Sequence, residues 1–297
     1  MKTVLQKLEL GICFIFVAFQ VYTATFGMIA GSGQKTIHLA LIFAILYIGL
    51  FNKDNGKPFL QIFDILMFLT GVSASVCITV IATEYERRGG ITYPIDVFFG
   101  VLLIVALIVA TWRKVGPVLS IVVMFFIVYA FYGKYFPLLF QHAGFKFKRF
   151  VHLVVYTPEG ILGTPLNSSA TFICLFIILG SFFTQTGVGD YITSLATSIF
   201  GHLRGGPAKV AVVSSALFGS ISGSATANVI STGTFTIPMM KKTGYDPAFA
   251  GAVEATSSTG GQIMPPIMGS AAFLIAEIIG VRYWDVVKAA VIPAIIY

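Results

Sequence analysis

Uncharged apolar stretches recur along the chain at lengths that fit spanning helices. Windows free of Asp, Glu, Lys and Arg run from Leu10 to Gln34, Thr36 to Asn52, Ile65 to Thr83, Val97 to Trp112, Val115 to Gly133 and Gly160 to Gly189. Most approach the ~20 residues that a helix needs to cross a bilayer. The pattern predicts four or five spans within residues 1–133 and a further one over Pro165–Thr184. Between them, Lys134–Pro158 is aromatic and basic and reads as an interfacial linker. Then DYITSLATSIFGHLRGGP places Ile192, Leu195, Ala196, Ile199 and Leu203 on one helical face. It is too short to span, which predicts an amphipathic surface helix ended by Gly205-Gly206-Pro207.

Two later stretches break the simple rhythm. The 31 residues between Lys209 and Lys241 carry no charge. One straight helix of that length would measure about 46 Å against a ~30 Å hydrocarbon core. It would also set Arg204 and Lys209 across the membrane from Lys241 and Lys242. A hairpin that enters halfway and returns keeps both basic ends on one side, with its tip near Gly223–Asn228. Next, Asp246-Pro247 reads as a helix start, an N-cap followed by Pro at the first helical position. The helix AFAGAVEA meets TSSTGGQIMPP and resumes as IMGSAAFLIAEIIG. Gly260-Gly261 and Pro265-Pro266 predict a break between Ser258 and Pro266 that faces the hairpin tip.

Composition fixes the solvent. Mean hydropathy is +0.90, and only 10% of residues are charged, against about 25% in soluble domains. The chain therefore reads as an all-α polytopic membrane protein whose first apolar segment is too long for a cleaved signal peptide. Cys13, Cys77 and Cys174 sit singly in apolar windows and read as packing thiols. The net charge of +7 is scattered between spans, which argues against nucleic acid. The positive-inside rule accounts for it better. With the N-terminus inside, Lys2, Lys7, Lys53, Lys57, Arg113 and Lys114 fall inside, and Lys35, Arg87 and Arg88 outside. A spanning Pro117–Gly133 then puts Lys134, Lys146, Lys148 and Arg149 outside, against the rule.

The hairpin stretch concentrates polar groups. Gly219–Thr236 holds four Ser, four Thr, three Gly and one Asn. Small residues also serve close helix packing, which explains Gly219, Gly223 and Ala227 but does not require Asn228. An uncompensated polar group at depth costs several kcal/mol, so irregular backbone there lines a cavity or is buried in protein. The broken helix leaves free amides and carbonyls at the same place, the arrangement that binds substrates and ions in secondary transporters. Glu254, one turn before the break, is open to a functional or a structural reading. An intramembrane serine protease is a remote alternative through SISGS. All four His precede Ser222, and a hydroxyl without a base is a weak nucleophile.

SALFGSISGSATANVISTGTFTIPMMKKTGY and AGAVEATSSTGGQIMPPIMGSAAFLIAE closely resemble the large membrane subunit of TRAP (tripartite ATP-independent periplasmic) transporters. EGILGTPLNSSATFICLFIILGSFFTQTGVGDYI is similar to the same family, and the preceding spans resemble the small membrane subunit fused in front, as in TAXI-type permeases. The resemblance implies an elevator-type secondary transporter, half of an inverted repeat with a re-entrant hairpin and a broken helix. It divides the chain into small-subunit-like spans with a connecting helix (1–133), an interfacial linker (134–164) and the N-terminal half of the large subunit (165–297). It implies import of a small organic acid from an extracytoplasmic binding protein, no enzymatic activity, no cofactor beyond a coupling ion such as Na+, and residence in a bacterial or archaeal cytoplasmic membrane. Carried onto this sequence, substrate and cation would be held by Ser222, Gly223, Ser224, Asn228 and Thr232 at the hairpin with Thr259, Gly260 and Gln262 at the break. Ser222, Ser224, Asn228 and Gly260 would form the cation set. The family's large subunit continues with a second half, and VVKAAVIPAIIY ends at Tyr297. The expectation is therefore an N-terminal portion, with a non-transporting scaffold subunit as the alternative reading.

Overall fold

The computed structural model describes residues 2–29, 32–54 and 57–297. Among the described residues it is all-α, with no strand and with six helical segments long and apolar enough to cross a membrane. The chain divides into two compact units, residues 1–170 and 171–297.

The first unit contains helices α1 (Lys2–Phe26), α2 (Gly33–Lys53), α3 (Pro58–Arg87), α4 (Pro94–Lys114) and α5 (Pro117–Tyr132). Three of the five begin on Pro, which lacks the N–H that a first turn leaves unpaired and presets the helical φ. The uncharged window Leu10–Gln34 overran the end of α1, because the turn after Phe26 carries no charge to mark it. Leu39, Phe43, Tyr47, Ala74, Ile78, Leu103 and Ala106 form the core. By contrast α5 buries only Ser120 and turns an apolar surface outward, as a lipid-facing span does.

Polar side chains inside these spans find one another. Gln20 Nε2 donates to His38 Nδ1 at 2.5 Å, and His38 Nε2 lies 3.2 Å from Ser169 Oγ. Arg113 bonds Asp54 and, at 3.1 Å, Asp64.

Part of the linker joins the core of the unit. Helix α6 (Phe147–Val151) and a π-helical turn, His152–Tyr156, bury Phe150, Val151 and Val155 against α4. Apolar positions 147, 150, 151, 154 and 155 recur at helical spacing, and that face belongs to the core. Tyr156 donates to Asp96 O at 2.8 Å and Lys35 Nζ to Leu162 O at 2.9 Å. The linker therefore shares its end of the unit with the α3–α4 turn, opposite Asp54 and Arg113.

The sixth span, Thr164–Phe183, comprises α7 (Thr164–Ser168), a π-helical turn and the start of α8 (Cys174–Gln185). Helix α9 (Val188–Phe200) buries Ile192 and Ala196 but leaves Leu195 and Ile199 exposed. Helices α10 (Gly206–Ser222) and α11 (Ala225–Lys242) form the hairpin. Ala208 and Ala211 at the start of α10 pack with Met240 at the end of α11, so the arms are antiparallel and both basic ends lie together. The turn is tighter than expected, Gly223 and Ser224 alone, and Asn228 already belongs to α11. Each arm is about 26 Å long at 1.5 Å per residue, more than half of a ~30 Å core, so an upright hairpin carries its tip past the halfway depth expected from sequence. Helix α12 (Pro247–Gly260) ends in a 3-10 turn, Gly261–Ile263, and α13 (Ser270–Ile279) follows the break. The break occupies residues 261–269, beginning inside the expected interval Ser258–Pro266 and ending three residues beyond it. Helix α14 (Tyr283–Ile296) closes the described chain.

This geometry predicts that single cysteines replacing Lys209 and Lys242 react with a membrane-impermeant thiol reagent from the same side. Labelling of the two from opposite sides would mean that the stretch crosses the membrane.

Candidate functional site

Glu254 on α12 is fully buried. Its Oε1 accepts hydrogen bonds from Thr232 at 2.6 Å, Ser215 at 3.0 Å and Ser258 at 3.3 Å, and Oε2 accepts one from Thr236 at 2.5 Å. Ser215 stands on α10, Thr232 and Thr236 on α11, so one carboxylate joins three helices. Spacing explains the set: Thr232 and Thr236 are four residues apart, as are Glu254 and Ser258, and each pair shares a helix face. Asn228, one turn before Thr232, donates from Nδ2 to Ser215 O at 2.7 Å, and its Oδ1 lies 3.1 Å from the Thr232 hydroxyl. No Lys, Arg or His makes an ion pair with Glu254 among the described residues. Hydroxyl donors alone meet this carboxylate.

Small residues let the helices close on this cage. A Cβ on Gly219 would lie 2.6 Å from Gly261 Cα and 2.9 Å from Asn228 Nδ2, so the first arm touches the start of the break backbone to backbone. At the tip, Gly223 has φ +63° and a Cβ there would meet Met268 O at 2.5 Å. Both facts select glycine. The break returns the contact: Ile267 N donates to Ser220 O at 3.1 Å, and Gly269 N to Gln262 O at 2.6 Å. Met268 adopts φ +65°, a costly conformation for a long side chain that persists where surroundings dictate it. Tyr283 donates to the carbonyls of Pro266, at 3.2 Å, and Ile267.

Beside the tip lies a cavity of about 300 Å³. Ile177, Gly180 and Ser181 of α8 line one wall, Ser222–Ser224 another, and Gln262, Ser270 and Phe273 a third. Two helix N-termini open on it. Ser224 caps α11 by accepting from Ala227 N at 3.3 Å, and Ser270 begins α13. Amides at such ends attract anions. No charged side chain among the described residues lines this cavity. Among the described residues the Ser222 hydroxyl is buried there without a hydrogen-bond partner, and buried polar groups ordinarily have one.

The residues expected to form one site therefore divide. Ser222, Gly223, Ser224 and Gln262 line the cavity, whereas Asn228 and Thr232 belong to the buried cage behind it. Thr259 is exposed and bonds its own helix at Ala255 O, 2.8 Å away. Gly260 lies under the Tyr297 ring on a separate cavity of about 360 Å³. Ser215, Thr236, Ser258, Ser181 and Ser270 were not singled out from sequence. Four-residue spacing from Thr232 and Glu254 could have found Thr236 and Ser258; nothing local marks the others.

Residues 101–297 match the family described as tripartite ATP-independent periplasmic transporter, DctM component. The C4-dicarboxylate TRAP transporter large permease protein DctM of Rhodobacter capsulatus is 36% identical over 91 residues, 31% of this chain and 21% of its own length. The sialic acid TRAP transporter large permease protein SiaM of Vibrio cholerae is 30% identical over 111 residues, 37% of this chain and 26% of its own length. An uncharacterised protein of Sinorhizobium fredii, y4mL, is 34% identical over 121 residues, 41% and 28% respectively. The chain spans 21–28% of the lengths of these relatives.

Removing the Glu254 carboxylate should take the shared acceptor from Ser215 and Ser258, while Thr232 and Thr236 keep the carbonyls of Asn228 at 2.9 Å and Thr232 at 3.0 Å within reach. Glu254→Ala is expected to lower stability by about 2–4 kcal/mol, and Glu254→Gln by less, because an amide oxygen still accepts. Thermal unfolding in detergent measures both. Equal stability of wild type and Glu254→Ala would mean that the cage carries no load.

Proposed function

This chain belongs to the family of TRAP transporter large permease components, multi-pass proteins of the inner membrane, and from that premise we propose how its polar hairpin serves transport. The chain forms part of a permease that imports a small organic acid, handed over by an extracytoplasmic binding protein, and uses a cation gradient to do so. The observation that carries this reading is the cavity beside the hairpin tip, where two helix N-termini surround an unpartnered buried hydroxyl.

A carboxylate fits that place because partial positive charge from amides reaches it without a fixed cation. An Arg or Lys would hold the anion more tightly and resist its release. The relatives named for C4-dicarboxylates and sialic acid take organic acids, which supports the same class here. The coupling cation belongs at the carbonyl ends of α10 and α12, where Gly219 meets Gly261 and helix C-termini carry partial negative charge. Hydroxyl, amide and carbonyl oxygens suit a hard ion such as Na+. Asn228, Thr232 and Glu254 then hold the two ends in register, so that hairpin and break move as one body between the two faces of the membrane.

The test is initial uptake against cation concentration, in cells that also express the remaining components of the transport system. Asn228→Ala should raise the half-saturating cation concentration about 5- to 150-fold, the equivalent of 1–3 kcal/mol for an unmade buried polar interaction. Protein level in the membrane should hold. If Asn228→Ala keeps the wild-type half-saturation point, the residue does not serve the coupling site.

A further inference from the structure

The first unit carries a pocket of different chemistry. It measures about 290 Å³ and is lined by Gly90, Thr92, Lys146, Lys148, Arg149 and His152. Three permanent cations face one small volume, and no acidic side chain among the described residues lines it. Among the described residues none of the three makes an ion pair, whereas the neighbouring Arg88 is neutralised by Asp96 at 3.3 Å and Arg87 by Glu84 at 3.5 Å. The Tyr85 hydroxyl engages His152 Nδ1, which fixes the ring and leaves Nε2 for another partner.

Insertion bias does not account for this cluster. Lys53, Lys57, Arg113 and Lys114 occupy the far end of the same unit, beside the Asp54–Arg113 contact. The linker lies at the other end, with the α3–α4 turn. Basic residues at both ends cannot all follow from the positive-inside rule, so this group calls for a ligand of its own.

The surroundings say which kind. In FKFKRF the cations alternate with aromatics. Phe150 is buried against Phe131 at 4.8 Å, while Phe145 and Phe147 are exposed, as are Leu139 and Phe140 nearby in the chain. Aromatic rings beside Lys and Arg at a helix end mark the headgroup level of a bilayer. The pocket is too small for a protein surface but admits one phosphate. A guanidinium, two ammonium groups, an imidazole and the Thr92 hydroxyl match its oxygens.

We propose that this pocket binds the phosphate headgroup of an anionic phospholipid and anchors the linker to the membrane surface. Purified chain titrated with phosphatidylglycerol or phosphatidylcholine and read by native mass spectrometry tests it. Wild type should hold one phosphatidylglycerol in preference to phosphatidylcholine. The variant Lys146→Gln/Lys148→Gln/Arg149→Gln should lose affinity about fivefold for each cation removed, while a charge-matched control, Arg204→Gln/Lys241→Gln/Lys242→Gln, should not. Thermal unfolding confirms that both variants fold. Millimolar inorganic phosphate should leave the lipid in place. Equal lipid retention by wild type and the pocket variant would overturn the proposal and leave the patch to an acidic protein or to nothing. Equal loss in the control, or displacement of lipid by free phosphate, would also overturn it.

Discussion

A carboxylate inside an apolar helix bundle must be met by donors, and Glu254 is met by hydroxyls from three helices. An isolated carboxylate in an apolar interior is among the most costly groups a protein can hold. Ser215, Thr232, Thr236 and Ser258 surround it at 2.5–3.3 Å. Because those donors stand on α10, α11 and the helix of Glu254 itself, sliding any one helix would unmake bonds on the other two. The cage sets the register of the hairpin against the broken helix.

That register has consequences at the tip. With α10 held against α12, Gly219 touches Gly261 and Gly223 touches Met268, contacts that any side chain would block. The break can then bond back onto the hairpin through Ile267 N and Ser220 O. Irregular backbone at membrane depth survives because each part satisfies the other. What remains open is the small cavity with two helix N-termini at its edge, where a ligand's carboxylate can supply the partner that Ser222 lacks.

Much of this was legible in the residues, and for stated reasons. Charge marks span ends, so the windows located the spans, and the 31 uncharged residues between Lys209 and Lys241 implied a hairpin. Polar density drew the expected tip too far along. Ser224 caps a new helix directly after Gly223, and Asn228 turns inward from it. Glu254 stayed undecided because Ser215 lies 39 residues away in sequence and Thr232 22, and local reading cannot see across helices. The basic residues of FKFKRFVHLVVY mask a helical apolar stripe, so the place of Phe150, Val151 and Val155 in the core does not show in the sequence. Thr259 sits on the face of α12 turned away from the cavity, a matter of about 100° per residue that proximity in sequence does not reveal.

The central claim is that the cavity at the hairpin tip holds an organic anion. Thiol labelling of Ser222→Cys tests it most directly, in a background where Cys13, Cys77 and Cys174 are replaced by Ala. A small dicarboxylate with Na+, at about ten times its dissociation constant, should slow labelling roughly tenfold by mass action. Thr259→Cys, outside the cavity, should label at an unchanged rate. Labelling of Ser222→Cys that ignores the acid, or equal protection at both positions, would contradict the account.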